Sequence, residues 1–183
     1  MATFAEFGYA DTSMEAIARA AGVTRRSLYA RYPDKRAVFV DVIPWAMTKF
    51  DGGKSIEAII GDDLEATLLS VARACLARAV RPETLRLKRM ALSEAASFPE
   101  FNVSSESMMW AGRQRVVTEV LKHYADEGRL DLGDVELAAE HFLAMVEAVP
   151  ARMADFGVFR SKAQQERHLQ YAVGLFLRGT LPR

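Results

Sequence analysis

The chain has 183 residues, half of them apolar and about a quarter charged, with 24 Lys and Arg balanced by 24 Asp and Glu. That composition argues against a disordered chain, a collagen-like repeat or a disulfide scaffold, and the zero net charge argues against a nonspecific coat for nucleic acid. No apolar run reaches the roughly 20 residues that span a bilayer, and the opening residues lack the basic start and apolar stretch of a signal peptide, so a cytoplasmic protein is expected.

Helical spacing dominates, and no alternating β-branched run bounded by turn residues argues for a strand, so the fold class is all-α. After Phe4, Phe7 and Gly8, the run Thr12-Ser13-Met14-Glu15 reads as a capping box in which Thr12 and Glu15 satisfy each other's free backbone N–H groups. The helix it opens would bury Met14, Ile17, Ala18 and Ala21 and end at Gly22, where a left-handed position suits a residue without a Cβ. Thr24 then caps a second helix, with Val23 and Leu28 spaced as a hydrophobic staple. Leu28 and Tyr32 face inward there, leaving Arg25, Arg26, Ser27 and Tyr29 at the exposed start, and Pro33 closes the helix. A third helix from Asp34 carries Val38, Phe39, Val42 and Ile43, and Pro44 is expected to kink or end it. Asp51 to Ser55 resembles the tail of a phosphate-binding loop, but Thr48 stands where that pattern needs a glycine and no strand precedes it, so the segment reads as a linker.

Downstream, Leu64, Leu68, Val71, Ala72, Cys75 and Ala79 form one stripe, broken at Arg81-Pro82. Leu85, Met90 and Leu92 continue the pattern to Phe98-Pro99, and a long one runs from Met109 through Val116, Val117, Val120, Leu121 and Tyr124 to Gly128. Asp134 caps a helix with Ala138, Phe142, Met145, Val149, Met153 and Phe156 at helical spacing, bent at Pro150. A second capping box, Ser161 with Gln164, opens the last helix, which repeats Leu169, Ala172, Val173, Phe176 and Leu177.

The charge is unevenly distributed. Between Thr12 and Arg36 stand six basic residues, Arg19, Arg25, Arg26, Arg31, Lys35 and Arg36, against Glu15 and Asp34 alone. Two short helices joined by a Gly-containing turn, with polar and basic residues opening the second, are the sequence form of a helix-turn-helix. A recognition helix must offer short polar and basic side chains at its N-terminal end while its rear packs on the supporting helix, and Thr24 to Tyr29 does this. Arg25 or Arg26 can donate two hydrogen bonds to guanine.

The string Phe4-Ala5-Glu6-Phe7-Gly8-Tyr9, Thr12-Ser13-Met14, Ile17 to Thr24, Leu28-Tyr29, Tyr32 and Lys35 resembles the DNA-binding module of the tetracycline-repressor (TetR) family over residues 2 to about 45. The resemblance implies that Thr12, Ser13, Tyr29 and Lys35 anchor phosphates, with Arg31 and Tyr32 as further candidates. It also implies a helix-turn-helix domain over 1–45 and a helical effector-binding and dimerisation domain over 46–183. The family's first helix usually has two or three further turns before the Phe-x-x-x-Gly position, so the resemblance implies either a misassigned or truncated start or a head with less bracing than usual. Glu94 to Phe101 resembles one C-terminal subfamily of such repressors.

For the effector, the adaptable side chains Met90, Met109, Trp110, Val117, Phe142 and Met145 are the candidate lining. For the dimer the resemblance points to the last two helices, with Phe142, Met145, Val149, Leu169, Ala172, Val173 and Phe176 as the seam. His123, His141 and His168 lack metal-ligand spacing, Cys75 has no partner cysteine, and neither a nucleophile elbow nor a dinucleotide glycine pattern is present, so no metal, cofactor or catalytic residue is assigned. The partners expected are double-stranded operator DNA, a small-molecule effector and a second copy of the chain. Two other readings remain open at this point: a helical ligand-binding or interaction protein whose head binds DNA weakly or not at all, and an enzyme built in the helical body.

Overall fold

The computed structural model describes residues 2–49, 59–94, 97–98 and 105–182, and every regular element among them is a helix. In chain order these are α1 (Ala2–Phe7), α2 (Met14–Ala21), α3 (Arg25–Arg31), α4 (Lys35–Lys49), α5 (Leu64–Ala79), α6 (Pro82–Glu94), α7 (Ser105–Asp126), α8 (Val135–Asp155) and α9 (Lys162–Thr180). They form two compact units, Met1–Gly52 with Pro82–Met109, and Gly53–Arg81 with Trp110–Arg183. The first unit thus takes in α6, which the sequence pattern grouped with the body. The loop-like stretch Asp51 to Ser55 lies outside the described residues.

In the first unit, α2 begins one residue later than the capping pattern suggests. Ser13 is the cap, its Oγ accepting from the Ala16 N–H at 3.1 Å, whereas Thr12 is 2% exposed and its hydroxyl donates to the Gly8 carbonyl at 2.6 Å. Gly22 ends α2 at φ 66°, and the N–H groups of Gly22 and Val23 reach back to the carbonyls of Arg19 and Ala18. A Cβ at Gly22 would touch nothing within 4 Å, so the demand there is conformational. Gly22→Ala should lower stability by about 1–2 kcal/mol, the left-handed penalty of an L-residue; denaturant unfolding that shows no loss would contradict this account of the turn. Thr24 caps α3 as expected, accepting from the Ser27 N–H at 3.1 Å, but Val23 stays half-exposed instead of stapling. Tyr32, before Pro33, takes the extended conformation that proline imposes on its predecessor. The helix after it continues through position 44 to Lys49, so proline does not end α4.

Phe4, Met14, Ile17, Ala18, Leu28, Val38 and Phe39 make the core of this unit together with Met90 and Phe98. The Phe98 ring lies 4.8 Å from both Tyr9 and Phe39, Arg36 covers its face at 4.4 Å, and the same guanidinium donates to the Ser97 carbonyl at 2.9 Å. Leu92, by contrast, is exposed.

In the second unit α5 packs on α8 and α9, which pack on each other, and α7 adds Val117, Val120, Leu121 and Tyr124 to the shared core. Cys75 is buried in it. The Tyr124 hydroxyl donates to the Gly61 carbonyl at 2.6 Å, which ties the start of this unit to α7. In α9 the expected stripe and the expected capping box are both present, with Ser161 N–H donating to Gln164 Oε1 at 2.9 Å and Gln164 N–H to Ser161 Oγ at 3.3 Å. In α8 the buried stripe is Ala139, Phe142, Leu143, Val146, Glu147, Pro150 and Ala154, and the expected Met145, Val149, Met153 and Phe156 run alongside it, with Met145 at the edge of the core. Both stripes have helical spacing and share Phe142, and α8 is apolar on two faces.

The helix runs through Pro150, whose missing N–H leaves the Val146 carbonyl without its usual partner. His168 of α9 supplies one, its Nε2 standing 3.0 Å from that oxygen; a carbonyl only accepts, so the imidazole donates. His168→Leu should cost about 1–3 kcal/mol by orphaning this buried carbonyl, while His168→Gln, which keeps a donor, should recover part of it in thermal unfolding. Equal losses for the two would remove the hydrogen bond from the account.

Candidate nucleic-acid interface

The basic surface is built on α2 and α3. Leu28 turns inward, and at about 100° per residue Arg26 and Ala30 lie on the opposite side of α3, with Ser27 and Tyr29 flanking them. All four are exposed, as are Ser13, Thr24, Arg25 and Arg31. Residue type alone does not point to Ala30; its angular position is the signal, because a small side chain lets the helix approach a groove closely and a methyl can meet the thymine methyl.

The charges here are not equivalent. Arg25 pairs with Glu15 of α2, both side chains being substantially exposed, whereas Arg26 has no protein partner among the described residues. Glu15 therefore serves as a tether for Arg25 and not as the second half of a cap. Lys35 is half-buried, its ammonium donating to the carbonyls of Tyr9 at 2.6 Å and Ala10 at 2.9 Å and lying 4.5 Å over the Tyr9 ring. It clamps the chain between α1 and α2. Two of its three protons are committed there. Arg31 lies over the Tyr32 ring at 5.5 Å, and the Tyr32 hydroxyl donates to the Asp41 carboxylate. Hydrogen bonding to Asp41 holds the Tyr32 phenol above its ordinary range, and burial does the same for Tyr9. Both remain neutral at physiological pH.

Thr12, expected at a phosphate, is buried with its hydroxyl donating to the Gly8 carbonyl, and Ser13 holds the surface position at the start of α2. The candidate effector residues separate. Met90 belongs to the core of the first unit, Val117 and Phe142 to the core of the second, and Met145 packs at the edge of the latter; the side chains of Met109 and Trp110 lie outside those described. Of the expected dimer seam, Phe142, Leu169, Ala172, Val173 and Phe176 are buried inside the single chain, the Phe142 and Phe176 rings meeting edge to face at 5.1 Å. Those five serve the protomer's own core. Val149 is 54% exposed, and with it Leu137, Phe156, Val158, Phe159, Tyr171 and Leu175 make the large apolar exposure of α8, α9 and their connection.

Residues 66–179 match the family model described as the C-terminal domain of AefR-like transcriptional repressors, and residues 1–42 match the model of bacterial regulatory proteins of the tetR family. No curated protein matches the chain. Among solved structures it is similar to a protein assigned to the TetR family of transcriptional regulators from Mesorhizobium loti, at 27% identity over 99% of this chain and 92% of that one, with a TM-score of 0.88. It is also similar to the flavonoid-responsive regulator FrrA, at 24% identity over 100% and 93% of the two chains and a TM-score of 0.74. A third similar structure is that of the fatty acid degradation regulator FadR from Bacillus halodurans, at 19% identity over 97% and 90% and a TM-score of 0.62.

Proposed function

The chain belongs to the tetR family of bacterial regulatory proteins, whose members are transcriptional regulators and not enzymes, and we propose that it acts as a ligand-responsive repressor. In this reading a cytoplasmic dimer holds a near-palindromic operator through two copies of α3 and releases it when a small, largely apolar effector binds the second unit. The observation that carries it is the outward face of α3. Arg26, Ser27, Tyr29 and Ala30 are exposed there, on a helix capped by Thr24 and fixed to a core of interlocked aromatic rings.

One such helix reads too few bases to be selective, and two copies about 34–36 Å apart would enter successive major grooves. The exposed apolar side chains of α8 and α9 supply the surface for a second copy. Coupling of about 1–3 kcal/mol between effector and DNA would change operator affinity roughly 5–150-fold, and DNA would weaken the effector by the same factor. Footprinting on the DNA flanking its own gene tests the reading. A protected, two-fold symmetric site is expected, and equal modest affinity for random and genomic DNA would sink it.

A further inference from the structure

α8 and α9 run antiparallel, joined at one end by the short connection from Phe156 to Ser161 and tied at the other, where the Asp131 N–H donates to the Thr180 carbonyl at 2.7 Å. The two ends carry opposite charge. Around the connection stand Arg152, Arg160, Lys162 and Arg167 against Asp155; at the other end stand Asp126, Asp131, Asp134, Glu136 and Glu140 against Lys122 and Arg178. Arg152, Lys162, Asp131, Glu136 and Glu140 are exposed and Arg160 is half-buried, and none of these six forms an ion pair among the described residues.

The dipoles of the helices do not account for the pattern. The start of a helix carries partial positive charge and its end partial negative charge. Yet α9 opens with Lys162 behind Arg160 and has no acid in its first turn, and α7 ends on Asp126. Both charges sit at the unfavourable end of their own helix. The same two ends bear exposed apolar groups: Phe156, Val158 and Phe159 on the connection, with Phe156 82% exposed, and Leu137 and Leu181 opposite.

Each end is thus one half of a contact whose other half the chain itself carries. We propose that a second copy docks on α8 and α9 in the opposed sense, the basic, phenylalanine-bearing connection of each protomer seated on the acidic end of its partner, and that this charge pattern selects which chain the protein pairs with. The inference rests on the dimeric reading above and adds the sense and the selectivity of pairing. A two-fold axis running across the helices brings each connection to the far end of its partner, whereas an axis running along them would set connection on connection and cation on cation. Like charges across an interface are costly enough to suppress such a pairing. α9 has 19 residues, a length of about 28 Å, and the two patches are equally far apart on both copies, so the two contacts form together. A different chain pairs as well only if it repeats both patches at that separation.

Sedimentation of the full chain tests this with two charge-reversed variants. One carries Arg152→Glu, Arg160→Glu and Lys162→Glu, the other Asp131→Lys, Glu136→Lys and Glu140→Lys. Either alone sets like charges together in the opposed sense and should dimerise about tenfold more weakly or worse. An equimolar mixture should regain the wild-type affinity as a heterodimer. Raising the salt concentration should weaken the wild-type dimer and strengthen each variant's, because screening removes attraction in the one and repulsion in the others. A role of these charges confined to the single chain would not produce that change of sign. Unaltered dimers of both variants, no recovery on mixing, or a wild-type dimer that tightens with salt, as connection on connection would, overturns the proposal. If a variant loses helicity by circular dichroism, the salt dependence of the wild type decides. Wild-type operator binding is measured in parallel by mobility shift: a monomeric wild type counts against the dimeric reading itself, while an operator-bound dimer indifferent to both reversals removes this inference alone.

Discussion

Aspartate placed at Val149 and Tyr171 together should give a folded monomer whose operator affinity has fallen by about 10²–10⁴, the avidity forfeited when two binding heads are no longer joined. Val149 is 54% and Tyr171 69% exposed, so neither substitution disturbs the protomer's own core, and helicity and melting temperature should hold. In an interface both charges would be buried without partners, which is costly. Phe176→Asp makes the contrast. Phe176 is buried against Phe142 in the core shared by α5, α8 and α9, so a charge there should unfold the second unit outright. Light scattering and circular dichroism on the two variants separate the cases, and an unchanged dimer for the double variant would show that the copies meet elsewhere.

That contrast also shows what the residue pattern could not disclose. Spacing of three and four finds apolar faces but does not say what covers them. In α9 the stripe of five residues identifiable from spacing packs inside the chain, while Tyr171 and Leu175 stand exposed elsewhere on the helix. In α8 two apolar faces share Phe142, and the one legible as a stripe runs from the edge of the core at Met145 to the exposed Val149 and Phe156; the buried face includes Glu147 and Pro150, residue types that argue against a core until Arg113 and His168 are seen beside them. The head is more transparent. Gly22, Thr24 and Pro33 are local signals, acting within a few residues of where they stand, and each ends or begins a helix as expected. Ser13 and Thr12 are harder to separate, because adjacent hydroxyl residues can each cap a helix and only the packing of Thr12 against Gly8 decides between them. Phe98 cannot be assigned from spacing at all, since it enters the core of the first unit from outside any helix.

The two arginines at the start of α3 should behave differently when each is removed. Arg26 points away from Leu28 and is untethered, so Arg26→Ala should erase a base preference in each half-site at a cost of about 1–3 kcal/mol per base read, twice over in a symmetric dimer. Arg25 is held by Glu15, and an ion pair between exposed groups is weak enough, about 0–1 kcal/mol, to open when a phosphate competes. Arg25→Ala should then lower affinity for all sequences alike and flatten the salt dependence by about 0.9 in logarithmic slope for each phosphate no longer neutralised. Glu15→Gln runs the other way. With the carboxylate gone the arginine no longer leaves one partner to reach another, and the negative charge that repels the backbone is absent, so affinity for random DNA should rise and discrimination between operator and random DNA should narrow. Titrations of operator and scrambled duplexes at several salt concentrations read all three variants. A sequence preference abolished in Arg25→Ala and kept in Arg26→Ala would assign base reading to the tethered arginine and overturn this division of roles.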